Sequence, residues 1–211
     1  MESDQLVSLL QPCQLANELR LLVQYGSGLP GRDIDLLAVY DTEGTRTECI
    51  LGRLDVLVLS ERRLEALVTR LDPLVTEPVL TGRVLVDEHD QFDSFAQHLR
   101  EASPTPEVYR HLLTQAHHSY SNSLGYLASE ETSLHSHLSV LNLTFAISYL
   151  GFAHHYRYHG GPATTLGTLV PSFAPDLSSL WKAAHSLKSQ ASASFHEVER
   201  LLEGFEAYLL R

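Results

Sequence analysis

The chain predicts an α+β fold in two parts, a small mixed sheet with helices over residues 1–103 and an all-α helical bundle over 104–211. Three observations predict it. Residues 20–25, 33–41 and 46–59 are aliphatic runs of strand length, separated by turns rich in Gly and Asp. Beyond Ser103-Pro104-Thr105-Pro106 the apolar residues recur at helical spacing over long segments. The charge is also uneven: residues 1–103 hold 18 Asp+Glu against 9 Arg, a net of -9, whereas 104–211 hold 8 acids against 6 bases, a net of -2, with ten of the twelve histidines.

Leu6, Leu9, Leu10, Leu15 and Leu19 sit near helical spacing around Pro12, which predicts a leading helix, or two short ones, packed on the sheet. A first strand follows at 20–25, a turn at 26–32 and a second strand at 33–41. Asp41-Thr42-Glu43-Gly44 is a turn signal that predicts a hairpin to a third strand at 46–59, with Gly52 as a bulge. Ser60 suits a helix N-cap, with Leu64, Leu67, Val68 and Leu71 as the buried stripe and Asp72-Pro73 as the stop. Residues 82–87 read as a short last strand and 90–102 as a helix. Helices are expected over 106–128 and 132–159, with one or two more in 174–210; Gly160-Gly161-Pro162 and the stretch Pro171 to Pro175 break the runs. Ser133 to Tyr156 is nearly uncharged, the mark of a helix at the centre of a bundle.

Composition narrows the function classes. At 211 residues and a formal net charge of -11, the chain has no basic stripe to neutralise phosphates, so long DNA or RNA is not an expected partner. Cys13 and Cys49 are too few for a disulfide framework, and Met-Glu-Ser-Asp lacks the basic start of a signal peptide. Leu138 to Ala153 reads as too short and too polar to span a bilayer, so no membrane is expected and a cytoplasmic location is the default.

The stretch richest in chemistry is Val23-Gln24-Tyr25-Gly26-Ser27-Gly28-Leu29-Pro30-Gly31-Arg32-Asp33-Ile34-Asp35. On a strand, Asp33 and Asp35 project to one side about 7 Å apart, and such a pair of like charges persists most easily around a divalent cation. The Gly26-Ser27-Gly28 turn frees backbone N–H groups and a hydroxyl for an anion such as a phosphate. Asp55 interrupts the aliphatic run of residues 54–59, and a charge buried there costs several kcal/mol unless it is paired or bound to metal. It shares a strand face with Arg53. Were its strand to lie beside that of Asp33 and Asp35, the three carboxylates would converge on one site. Two cations held there would clamp the attacking and leaving oxygens of a phosphoryl displacement.

Gly26-Ser27, Asp33-Ile34-Asp35 and Asp55 together resemble the hallmark of the DNA polymerase beta-type nucleotidyltransferases. Gly82-Arg83-Val84-Leu85 is similar to a strand that often follows their third carboxylate. The resemblance covers the first half of the chain and is nearest to the two-domain form with a helical C-terminal half, such as kanamycin nucleotidyltransferase and the minimal nucleotidyltransferases. It implies metal ligation and catalysis by Asp33, Asp35 and Asp55, and nucleotide binding at Gly26, Ser27 and Arg32. It further implies Mg²⁺ or Mn²⁺ as cofactor, an NTP (ATP expected) as co-substrate, a hydroxyl of a small molecule or protein as acceptor, and a homodimer. The chain departs from the pattern in one respect: only the five residues Gly28 to Arg32 separate Gly-Ser from Asp-Ile-Asp, so the helical turn under the triphosphate must be shortened. That shortening favours the alternative of a non-catalytic, antitoxin-like or scaffold binding protein that keeps the fold.

Two weaker signals complete the survey. His155 and His159 have the i, i+4 spacing of a helical metal pair, but no acid or cysteine completes a site and Arg157 intrudes, so capping or contact roles fit better. Glu130-Glu131 offers a candidate base by resemblance, and equally suits the first turn of the following helix.

Overall fold

The computed structural model describes residues 18–26, 34–41, 47–51, 54–129, 133–160, 175–188 and 194–210. The chain divides into two units, Met1–Ala102 and Ser103–Arg211. In the first, the aliphatic runs form β1 (Leu19–Tyr25), β2 (Ile34–Tyr40), β3 (Thr47–Leu51), β4 (Leu54–Ser60) and β5 (Arg83–Asp87). They build one mixed sheet in the order β3-β4-β2-β1-β5. The leading helix expected within residues 4–20 falls outside the described residues, except for its last three positions, Glu18 just ahead of the sheet and Leu19 and Arg20, which open β1.

Two expectations are corrected here. The single strand expected at 46–59 is two, β3 and β4, paired antiparallel with Leu51 opposite Leu54. The hairpin expected between the second and third strands does not form, because the neighbour of β2 is β4, and the two run parallel. The reason is in the residues: β4 is Leu-Asp-Val-Leu-Val-Leu-Ser, apolar on both faces, and such a strand is best buried at the centre of a sheet. β3 takes the edge of the sheet.

Both faces of the central strands are buried. Leu22, Leu36, Ala38, Tyr40, Leu54, Val56 and Val58 form the cluster on one face. Leu37, Val39, Leu57 and Leu59 alternate onto the other, and each fully buried leucine contributes about 1.5–3 kcal/mol. This second face lies under three helices, α1 (Glu61–Thr69), α2 (Pro73–Thr81) and α3 (Phe92–Glu101). Leu21 and Val39 line a small cavity with Leu64 and Phe95, and Gly82 at the end of α2 abuts Val23.

Ser60 accepts the Arg63 N–H as the N-cap of α1, and the expected stripe of Leu64, Leu67, Val68 and Leu71 is buried. Asp72-Pro73 stops α1 but also starts α2: Asp72 accepts the Leu74 N–H and Pro73 occupies the first turn, where its missing N–H costs nothing. At the end of the sheet where β1 begins, Arg20 binds Glu88 (2.9 Å), Asp41 (3.1 Å) and Glu18 (3.2 Å), pinning the neighbouring strand ends.

The second unit is helical: α4 (Pro106–Ser129), α5 (Ser133–Tyr158), α6 (Pro175–Lys188) and α7 (Phe195–Leu209). Ser123 on α4 and Ser139 on α5 are fully buried, and each hydroxyl donates to the other's carbonyl, at 2.8 and 2.9 Å. Small side chains that satisfy each other let two helices approach closely without an orphaned polar group. Among the described residues α5 is the one helix long and apolar enough to cross a membrane, and it extends beyond Leu138–Ala153 on both sides, so shortness does not argue against a span. Of its most apolar window 61% is buried within the protein, and Ser139, Thr144 and Ser148 are among its buried residues. A capping box of Ser194 and Glu197 opens α7.

Two glycines give a paired test of this packing. A Cβ at Gly82 would collide with the Pro78 carbonyl oxygen and with Val23, so Gly82→Ala should lower stability by about 1–3 kcal/mol. A Cβ at Gly125, in an exposed turn of α4, meets nothing, so Gly125→Ala should raise stability by about 0.5–1 kcal/mol. Urea unfolding of both variants checks the contrast; equal stability of Gly82→Ala and wild type would contradict the packing described.

Candidate functional site

Residues in register on adjacent parallel strands point to the same face of a sheet, and β2 and β4 pair Asp35 with Asp55. Their Cα atoms therefore lie roughly 5 Å apart, one strand spacing. Both acids occupy the second position of their strands and continue the face formed by Leu37 and Val39 on β2 and by Leu57 and Leu59 on β4. The two carboxylates thus sit where the helix-covered face runs out. One sequence reading is corrected: Asp55 is exposed rather than buried, so desolvation does not account for it. Its proximity to Asp35 remains as the feature to be explained. Asp35 is half-buried.

Gly26 completes this end of the sheet. It follows β1, one residue beyond Tyr25, which pairs with Asp35. Its φ of +80° lies in the left-handed region that favours glycine. A Cβ there would fall on Asp35 Oδ2, so any other residue would make that carboxylate shift. The sequence placed Gly26 at the head of an anion-binding turn; the structure adds that it makes room for an acid. Ser27, Arg32 and Asp33 lie outside the described residues, as do Arg53, Gly52 and the Glu130-Glu131 pair.

A third carboxylate near Asp35 was missed by sequence reasoning. Glu77, on α2, is half-buried, and its carboxyl is pushed above the ordinary 4.5 by burial first and by the charge of Asp35 second. The signal was available, since Glu77 interrupts Leu74-Val75-Thr76 and Val79-Leu80 much as Asp55 interrupts its strand. Among the described residues no group of three or more His, Cys, Asp or Glu is placed to hold a metal ion, the histidine pairs of the second unit included. Asp35 and Asp55 are nevertheless an all-oxygen donor pair. Mg²⁺ and Mn²⁺ take oxygen ligands, and Mg²⁺ commonly uses one or two carboxylates with substrate phosphates completing its shell. The residues present fit that chemistry.

No family model and no curated protein matches the chain. Among solved structures it is similar to a nucleotidyltransferase-like protein from Exiguobacterium sibiricum 255-15, at 12% identity, with 99% of this chain and 74% of that chain covered and a TM-score of 0.43.

Glu77 gives this end of the sheet a pH signature. A carboxyl whose pKa is raised on folding binds more protons folded than unfolded between the two values. Stability therefore falls as pH rises from about 4.5 through the folded pKa. Glu77→Gln should remove that decline, and the variant should be at least as stable as wild type at pH 8 in metal-free buffer. Urea unfolding at pH 4.5 and pH 8 checks this; a variant less stable than wild type at pH 8 would show that the charged form is favoured instead.

Proposed function

We propose that Met1–Ala102 is a nucleotidyltransferase domain, and that the protein transfers a nucleoside monophosphate from an NTP, ATP the expected one, to a hydroxyl group. The observation that supports this most is the register of Asp35 with Asp55, which sets two carboxylates side by side beneath the Gly26 turn. Asp35 and Asp55, with Asp33, would hold the Mg²⁺ or Mn²⁺ ions. When bound, these ions supply charge neutralisation for the triphosphate.

The chain's own residues have defined tasks in this reading. Gly26 and Ser27 would offer backbone N–H groups and a hydroxyl to the β- and γ-phosphates, and Arg32 would offset their charge. The acceptor hydroxyl oxygen bonds to the α-phosphorus, and the bond from that phosphorus to the α–β bridging oxygen breaks. Pyrophosphate leaves with the electron pair, and the hydroxyl proton passes to solvent or a base. The acceptor is a small molecule or a protein, and long nucleic acid is not a partner. A polycationic acceptor such as an aminoglycoside fits poorly, because α4 and α5 carry few acids. A cytoplasmic homodimer is the assembly that this reading carries with it.

The five-residue spacing from Gly28 to Arg32 favours one other reading, a binding protein that keeps the fold without turnover. Thermal unfolding with Mg²⁺ and each NTP separates the two. A ligand at 100 times its Kd adds about 2.7 kcal/mol, so an enzyme should show a clear rise in Tm with at least one nucleotide. Asp35→Asn and Asp55→Asn should each abolish that rise and cut pyrophosphate release by at least about a hundredfold, with the far-UV spectrum unchanged. Turnover retained in both variants would remove these residues from the reaction. No Tm rise with any nucleotide would favour the binding protein.

A further inference from the structure

The helical unit carries a cavity of about 540 Å³ that plays no part in the proposed transfer. Its size falls within the range of small-molecule sites. Three helix ends form it: the first two turns of α4, with Tyr109 and Leu113; the last two turns of α5, with Leu150, His154, Arg157 and Tyr158; and the last turn of α7, with Tyr208. The α5 residues share one face, because positions four and three or four apart stack along a helix.

The chemistry of the lining is specific. The His154 ring lies 4.6 Å from that of Tyr158, and the Arg157 guanidinium carbon is 5.7 Å from the Tyr158 ring centre, so Tyr158 braces both neighbours. His154 Nδ1 is buried without a hydrogen-bond partner among the described residues. Burial, then the nearby His159 and Arg157, hold its imidazole below the usual range and therefore neutral at pH 7. Burial first, then the nearby Asp176 and Tyr158, push the Tyr208 hydroxyl above its ordinary range, so it stays protonated and available as a donor. Among the described residues that line the cavity, Arg157 is thus the one formal charge, on a wall of phenol rings and aliphatic side chains. Leu113 and Tyr158 are 52% and 64% exposed, so the cavity presents large apolar side chains to solvent.

We propose that this cavity is a binding site for a planar aromatic anion. The ring system would lie between Tyr109, Tyr158 and the Leu113–Leu150 floor, and its acidic group would meet Arg157. Flat rings gain from stacking on aromatic walls, and a guanidinium recognises a carboxylate, sulfonate or phosphate through paired N–H donors. The inference does not depend on the nucleotidyltransferase reading, since no residue of the first unit enters it.

Calorimetric titration of the full chain with 8-anilinonaphthalene-1-sulfonate, beside its uncharged analogue N-phenyl-1-naphthylamine, tests the site. The sulfonate should bind saturably at one site per chain. Arg157→Gln should weaken it at least about tenfold, the loss expected for a charge-assisted contact, and leave the neutral analogue unchanged. Tyr158→Ala should weaken both probes. Both positions are exposed, so the variants should keep the wild-type Tm. Non-saturable uptake, equal affinity for the two probes, or indifference of the sulfonate to Arg157→Gln would each overturn the proposal. So would self-association that blocks uptake, measured by sedimentation, because the face would then be a contact between copies of the chain.

Discussion

The parallel pairing of β2 with β4 is the constraint on which the first unit depends. Among the described residues it is the one parallel ladder in a sheet whose other ladders are antiparallel, and it brings together two strands that are not consecutive in the chain. Its register runs unbroken from Ile34–Leu54 to Tyr40–Ser60. A shift of one residue would turn every side chain of one strand to the opposite face. The large apolar groups on both faces of β2 and β4 therefore hold the register, and the register holds Asp35 beside Asp55. Apolar burial along the strands is what sets Asp35 and Asp55 side by side at their start.

That arrangement sets the local electrostatics. Glu77 responds to it: burial first, and then the charge of Asp35, push its carboxyl above the ordinary range. Gly26 contributes by what it lacks, since its left-handed backbone and missing Cβ leave the Asp35 carboxylate in place. The Arg20 cluster marks the other end of β1. There a single guanidinium gathers Glu18, Asp41 and Glu88, and its own pKa is raised by the hydrogen bonds it donates to the last two. These acids are largely exposed, and contacts of that kind are worth little individually; their effect is to fix strand ends.

The helical unit solves a different problem. Its central helix is nearly uncharged, so packing rather than ion pairing must specify its neighbours. The reciprocal hydrogen bonds of Ser123 and Ser139 supply that specificity, because any sliding of α4 against α5 would strand two buried hydroxyls. Farther along α5 the small residues give way to His154, Arg157 and Tyr158, and the tight contact opens into the cavity.

Much of this was written into the chain. Turn residues and capping chemistry act locally, so the limits of the Ser60-capped helix, the break at Ser103 to Pro106 and the long uncharged helix could be read from neighbours in sequence. The aspartates were likewise conspicuous, because an acid inside an aliphatic run stands out. Pairing is not local. Whether Asp41-Thr42-Glu43-Gly44 closes a hairpin depends on how much apolar surface each competing strand can bury, and β4 outbids β3 for the place beside β2. Exposure is not local either, which is why Asp55 lies open although its flanking residues are buried. The approach of Glu77 to Asp35, between segments forty residues apart in the chain, could be settled only by helix packing on the finished sheet. The sequence alone determined which residues carry charge, turn or close packing; the tertiary structure alone decided which of them meet, because meeting is set by the burial of apolar faces across the whole unit.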